Sequence, residues 1–173
     1  MKQELKGFTL IELIVVIAII AVLAAVVAPN AFKSIEKAKI SGTLTDLNSI
    51  KTATLAYYGD IQTWPANTTS GSGFVTAPSP AVAGWDGPYL DKWPATSKWG
   101  GNYSYRFDDA QGWSAGSAND DARYIEVSGV PENAKTKIDL QIDGNISGNN
   151  GTVRYGGTGT PLRYLISTDV SVN

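Results

Sequence analysis

A single carboxylate, that of Glu12, lies within the apolar run that extends from Phe8 to Ala28. A charge at the centre of a bilayer costs about 2.5–3.5 kcal/mol on insertion scales, so it is tolerated only with a compensating partner. Glu12 therefore needs a positive group within the same apolar environment. The short charged segment that precedes the run and ends in Gly7 indicates where such a group comes from.

The apolar run has the length of a membrane-spanning helix. Its 21 residues would form a helix of about 30 Å, which matches the hydrocarbon core of a bilayer. The run is apolar on all sides, whereas a surface helix of a globular protein is apolar on one side only. A cleavable secretory signal and a plain N-terminal anchor are alternative interpretations, but neither explains Glu12.

The stretch Gly7-Phe8-Thr9-Leu10-Ile11-Glu12 resembles the prepilin signature of type IV pilins and of type II secretion pseudopilins. The resemblance is close over residues 1–58 and looser beyond them. It implies that a prepilin peptidase cuts after Gly7 and that the new amine of Phe8 is methylated. It also implies that Glu12 pairs with the N-terminal amine of a neighbouring subunit in a filament.

The position of Glu12 gives this implied pairing a physical purpose. Glu12 lies four residues after Phe8, which is about one helical turn. The carboxylate and the amine could therefore meet within one chain or between staggered chains. Between chains the pair would set the axial register, because an unpaired buried carboxylate is strongly penalised. We predict that Phe8 and Glu12 direct assembly.

Pro29 stands at the position of the family's helix proline, and we assign it to assembly as well. Proline removes one helical hydrogen bond and clashes with the preceding turn. This predicts a kink or local melting around Leu23–Ala28. The alternative is that Pro29-Asn30 begins a new helix, since proline is favoured in the first turn.

After Pro29 the sequence continues with the pattern of an amphipathic helix. Apolar residues recur at helical spacing: Ile40, Leu44, Leu47, Ile50, Ala53 and Tyr57. Gly59-Asp60 predicts the end of the helix. The chain thus divides into a leader (1–7), a transmembrane or filament-core helix (8–29), an amphipathic helix (30–58) and a C-terminal globular domain (59–173).

Composition excludes several classes of function. The chain has no cysteine and no histidine, which excludes disulfides, thiol catalysis and a Ser-His-Asp triad. Its net charge is −2, or −3 once Lys2, Lys6 and Glu4 are removed with the leader. A net negative charge does not indicate the basic patch that nucleic-acid binding requires. No constellation of catalytic residues is visible, so we predict that the protein is not an enzyme.

The globular domain is predicted to contain one helix and four short strands. Residues 60–102 are rich in Gly, Pro, Ser and Trp and indicate a long irregular connection. Alternating patterns predict strands at 103–107, 123–127, 152–155 and 162–167, with a turn at Asp108-Asp109 after the first. Residues 128–143 predict a helix capped by Gly144. The expected fold is α+β and pilin-like, with the long N-terminal helix packed on a small antiparallel sheet.

Two further segments resemble pilin-like proteins. Gly87-Pro88-Tyr89-Leu90, Trp93-Pro94 and Trp99-Gly-Gly-Asn-Tyr103 are similar to a region of major pseudopilins, whereas residues 130–155 resemble a helix-and-strand motif of many pilin-like proteins. The first similarity favours a secretion pseudopilus over a pilus.

The segment Asp143-Gly-Asn145-Ile-Ser147-Gly148 matches the opening of a calcium loop, with oxygen ligands at alternate positions. Its twelfth position is Arg154, which excludes an EF-hand. The resemblance to major pseudopilins implies calcium binding in a C-terminal loop, to which Asp139 and Asp169 could add ligands. The alternative is a polar turn without metal. A rise in melting temperature with calcium that a chelator abolishes would support the metal.

We interpret the chain as the structural subunit of a type IV pilus. The alternative is the major pseudopilin of a type II secretion system, and a third hypothesis is a membrane-anchored glycan-binding domain that displays the five tryptophans between Trp64 and Trp113. The expected partners are copies of itself, a prepilin peptidase, an inner-membrane assembly platform and the membrane. The precursor would reside in the inner membrane, and the mature subunit in an extracellular pilus or a periplasmic pseudopilus.

Overall fold

A computed structural model describes residues 7–109 and 121–168. The described elements are α1 (Leu10–Ile61), β1 (Tyr103–Asp109), β2 (Asp121–Val127), α2 (Glu132–Asp143), β3 (Val153–Arg154) and β4 (Leu162–Thr168). The leader residues 1–6, Trp113 and Asp169 lie outside the described residues. The architecture is α+β and pilin-like, as predicted, with a long N-terminal helix packed on a small antiparallel sheet.

Helix α1 runs without interruption through Pro29. The predicted local melting around Leu23–Ala28 is therefore absent from this single chain, and Pro29-Asn30 does not begin a new helix. Proline removes a single hydrogen bond from the helical ladder, and the helix continues on both sides of that gap. By its contacts the chain divides into two compact units, the first ending at Ala38 and the second beginning at Lys39.

The part of α1 that belongs to the second unit carries the predicted apolar stripe. Its buried residues are Ile40, Thr43, Leu47, Ile50, Ala53, Thr54 and Tyr57. The two threonines satisfy their hydroxyls within the helix, since Thr43 donates to the Lys39 carbonyl at 2.9 Å and Thr54 to that of Ile50 at 2.8 Å. A buried polar side chain with a partner costs little, so the stripe remains compatible with a packed core.

The four strands form one antiparallel sheet in the order β1-β2-β4-β3. Tyr103, Tyr105, Ile125, Val127 and Leu162 are fully buried on it and form one apolar cluster with the stripe of α1. The predicted turn at Asp108-Asp109 is wrong, because β1 continues to Asp109 and pairs there with Asp121. Backbone pairing with β2 outweighs the turn preference of these two aspartates.

Residues 62–102 contain no helix or ladder strand, as predicted, but they are packed on the core. Phe74 is fully buried and stacks on Trp93 with ring centroids 5.5 Å apart. Its ring also meets that of Tyr105 edge to face, with centroids 5.4 Å apart. Aromatic rings supply large buried area where regular structure is missing. The connection is therefore secured mainly by its rings.

Helix α2 begins at Glu132 rather than at residue 128. Gly129 has a positive φ of 76° and Pro131 is extended with ψ of 151°, so the chain cannot be helical before this point. Gly144 ends the helix in the left-handed conformation with φ of 73°, and its N–H donates to the Leu140 carbonyl. This is the cap that the sequence predicted.

Candidate functional site

The candidate assembly site lies at the start of α1. The carboxylate of Glu12 accepts two hydrogen bonds from Thr9 through Oε2, one from the backbone N–H at 2.9 Å and one from the hydroxyl at 2.7 Å. In return, Thr9 Oγ1 accepts the backbone N–H of Glu12 at 3.3 Å. This reciprocal arrangement is a capping box, in which a threonine before the helix and a glutamate three residues later satisfy each other's backbone groups.

The capping box means that Glu12 has a local partner before any cleavage. In the uncut chain the nitrogen of Phe8 is part of a peptide bond, so the predicted amine does not yet exist. Thr9 takes its place as donor, and two hydrogen bonds reduce the cost of placing a carboxylate in an apolar environment. The sequence interpretation missed Thr9, although the Thr-x-x-Glu spacing is the signal that identifies a capping box.

The first unit presents an apolar surface on every side. All residues from Gly7 to Ile35 are exposed, and Phe8, Leu10 and Ile11 are at least 70% exposed. Soluble monomers rarely expose apolar patches larger than a few hundred Å². Within the part of the chain that is described, α1 is the one helix long and apolar enough to cross a membrane.

A second candidate site surrounds Asp139, which is fully buried on α2. Its Oδ2 accepts the backbone N–H groups of Ser147 at 3.0 Å and Gly148 at 3.1 Å, and the hydroxyl of Tyr155 at 3.2 Å. Burial, and then the charge of Asp139, raise the pKa of Tyr155 to about 12. One carboxylate thus holds the loop after α2 to the helix.

Two of the residues proposed as calcium ligands make hydrogen bonds around this loop. Asp143 Oδ2 accepts the N–H of Val153 at 2.8 Å, and the Asn145 side chain donates to the Asp143 carbonyl at 3.4 Å. Within residues 7–109 and 121–168 no three acidic side chains group around a common point. Calcium prefers about six to eight oxygen ligands and takes backbone and amide oxygens as well as carboxylates, so calcium binding at this loop stays a prediction.

Asp46, a largely covered side chain on α1, ties the irregular connection to the helix. Its Oδ2 accepts the hydroxyl of Tyr103 at 2.9 Å and lies 3.0 Å from the ammonium of Lys98. Burial, followed by the bond to Asp46, raises the pKa of Tyr103 above its usual range. One turn away, Trp99 donates its indole N–H to the hydroxyl of Thr43 at 3.1 Å.

The four described tryptophans make packing and hydrogen-bond contacts within the chain. Trp64 stacks on Tyr58 with ring centroids 4.1 Å apart, and Trp93 lies in the core. Trp85 donates its indole N–H to the Gly73 carbonyl at 2.9 Å. These contacts give the tryptophans a role within the chain, and the glycan-binding alternative stays a hypothesis.

The family described as PilW, C-terminal, matches residues 34–122, which is just over half of the chain. The family described as prokaryotic N-terminal methylation motif matches residues 6–28, which include the capping box and the whole apolar run. No curated protein and no solved structure matches the chain.

Proposed function

Because the chain belongs to the PilW C-terminal family and carries a prokaryotic N-terminal methylation motif, we propose that it is a structural subunit of a type IV pilus. The motif implies processing by a prepilin peptidase and assembly into pilus-type complexes. The main support for the proposal is that this motif lies at the start of a helix whose first half is exposed and apolar on all sides.

Processing would change the partner of Glu12. Hydrolysis of the Gly7–Phe8 peptide bond leaves a carboxylate on the leader and a cationic amine on Phe8. Methylation keeps the positive charge. The amine of a neighbouring subunit can then replace the Thr9 hydroxyl as the donor to Glu12. An ion pair in a medium of low dielectric constant is far stronger than a neutral hydrogen bond, which favours subunits at the stagger that brings the two charges together.

The apolar surface of the first unit would contribute to association through close packing of helices. Burial of apolar surface contributes about 25 cal/mol per Å² when that surface leaves water. In the membrane this term is absent, and helices associate through packing and polar pairs. We therefore propose that the helix is held by lipid in the precursor and by copies of itself in the filament. The filament would extend outside the cell, while the precursor stays in the inner membrane.

The family match favours the pilus over the alternative of a secretion pseudopilus. The match to the PilW C-terminal family covers residues 34–122, which include the Gly87-Pro88 segment that resembled pseudopilins. Loss of a secreted enzyme activity on deletion of this chain, with no change in surface filaments, would favour the pseudopilus instead.

The decisive experiment is mass spectrometry and electron microscopy of filaments sheared from the cell surface. We expect long filaments that contain this chain with residues 1–7 removed and a methylated Phe8. Recovery of the chain only in membranes, with its leader intact, would contradict the proposal. Inactivation of the peptidase in the same strain is the control, and it should leave the uncut chain in the membrane.

A further inference from the structure

A half-open cavity with a volume of about 250 Å³ lies on the second unit. It is formed by the loop after α2, strand β3, the connection to β4 and the start of β4. Its walls combine two arginines, two rings and two short polar side chains: Arg154, Arg163, Tyr155, Pro161, Asn149 and Thr160. Small-molecule sites in proteins are commonly of about 300–1,000 Å³, so this cavity suits a ligand smaller than a typical drug.

The charges around the cavity favour an anion. None of the described residues that line it is acidic. Arg163 and Arg106 share the single carboxylate of Glu126, at 3.1 and 3.3 Å. Both charged residues in the cavity lining are arginines, Arg154 and Arg163, and their carboxylate neighbours Asp143 and Glu126 lie outside the lining. Of the two partners of Glu126, only Arg163 lines the cavity.

Arg154 adds a second guanidinium that is largely removed from water. The residue is 8% exposed, and its Nε donates to the Gly151 carbonyl at 3.4 Å. Burial lowers the pKa of Arg154 from its ordinary value, and the nearby charge of Asp143 offsets part of that shift. An anion in the cavity would stabilise this buried cation further.

The remaining walls indicate what the anion is attached to. Tyr155 and Pro161 offer apolar ring surfaces, while Asn149 and Thr160 offer an amide and a hydroxyl. A bare inorganic ion would use only the arginines. A ring that carries a carboxylate together with several hydroxyls would use all of these groups.

We propose that the cavity binds a sugar acid of monosaccharide size, a uronic acid, with its carboxylate between Arg154 and Arg163. Arginine and carboxylate form short, charge-assisted hydrogen bonds of matching geometry. The ring face packs on Tyr155, and its hydroxyls bond to Asn149 and Thr160. This site does not depend on the assembly of the chain into filaments.

The test is a calorimetric titration of the full chain in neutral detergent with sodium D-glucuronate at constant ionic strength. D-glucose has the same ring without the charge, and inorganic phosphate has the charge without the ring. We expect saturable binding of glucuronate, with affinity for both comparison ligands weaker by about tenfold or more. Equal affinity for glucose or for phosphate, or no binding of glucuronate, would overturn the proposal.

The chain offers a matched pair of variants. Arg163→Gln and Arg106→Gln each remove one partner of Glu126, but only the first changes the cavity wall. We expect glucuronate affinity to fall by about tenfold or more in Arg163→Gln and to stay unchanged in Arg106→Gln. An equal loss in both would assign the effect to Glu126 and overturn the proposal.

Thr160→Val provides a variant that keeps all the charges. It should bind glucuronate several-fold more weakly while its circular dichroism spectrum stays as in the wild type. The melting temperature should fall slightly, because the Thr160 hydroxyl also donates to the Gly157 carbonyl at 2.7 Å. Unchanged affinity in both Thr160→Val and Arg163→Gln would place the ligand elsewhere.

Discussion

The two halves of helix α1 have the same backbone and opposite surroundings. From Gly7 to Ile35 every residue is exposed, whereas the half from Lys39 onward buries one stripe against the sheet and the irregular connection. The second half buries its apolar side chains within the chain itself. The first half can bury them only against lipid or other chains, because water does not solvate such a surface favourably.

The polar groups of the two halves differ in the same way. Glu12 has one local partner, Thr9, which a charged amine can replace. Thr43 and Asp46 bond to residues more than fifty positions later, Trp99 and Tyr103. Glu12 thus depends on a local bond, whereas Thr43 and Asp46 join distant segments of the fold. Glu12→Leu and Leu47→Ala test this division, and two further changes test the attachment of the loop after α2.

The largest expected effect is that of Glu12→Leu on filaments. Removal of one partner of a buried ion pair costs about 3–5 kcal/mol, so the yield of surface filaments should fall by well over tenfold. Electron microscopy of sheared material measures it. The melting temperature of the globular unit should not change.

Glu36→Leu, a change to a carboxylate that lies after the apolar run on the same helix, is the control. It should leave filament yield close to that of the wild type. Normal filaments from the Glu12→Leu strain would show that this carboxylate does not direct assembly.

Leu47→Ala should destabilise the globular unit without an equivalent effect in the first half of the helix. Leu47 is 1% exposed, and a buried leucine truncated to alanine costs about 2–5 kcal/mol. Ile14→Ala, at an exposed position, should change the free energy of unfolding by less than about 0.5 kcal/mol. Chemical unfolding of both full-length variants in detergent compares them, and equal losses would contradict the division of α1.

Asp139→Asn should weaken the attachment of the loop after α2. The carboxylate accepts three hydrogen bonds, and loss of charge assistance on a buried acceptor costs about 1.5–3 kcal/mol. Asp143→Asn is the matched control, because Asp143 holds one backbone amide at the same loop and its replacement should cost about 1 kcal/mol. The reverse order of melting temperatures would mean that Asp143 is the principal anchor.

The smallest expected effect is a loss of stability at alkaline pH. Since the pKa of Tyr155 is raised to about 12, the folded chain retains its phenol proton above the ordinary pKa of about 10. The stabilisation is fully present below that pH and is lost as the pH rises towards 12. Tyr155→Phe should make the melting temperature less sensitive to pH over this window. A steeper dependence in the variant would reverse the sign of the effect.

Local pattern was enough to predict most of the elements. The spacing from Ile40 to Tyr57 predicts a helix with one buried side, and the structure buries that side. Strands β1, β2 and β4 lie where the alternating residues predicted them, and Gly144 caps α2. These features depend on residues close together in the chain, so the sequence pattern alone predicts them.

The errors arose where distant parts of the chain meet. The residue types of Asp108-Asp109 predict a turn, but pairing with the distant strand β2 keeps both residues in β1. The preference of proline alone predicts a helix break at Pro29. That preference does not reveal whether the surrounding helix can continue past it.

The sequence by itself determined the motif at Gly7–Glu12, the membrane length of the run that follows and the absence of thiol and imidazole chemistry. Only the tertiary structure placed Arg154 and Arg163 on one cavity and joined Asp139 to the loop that follows α2. The physical reason is separation along the chain. A helix or a cleavage motif is specified by consecutive residues, whereas a cavity or a buried charge depends on segments that come together only when the core has formed.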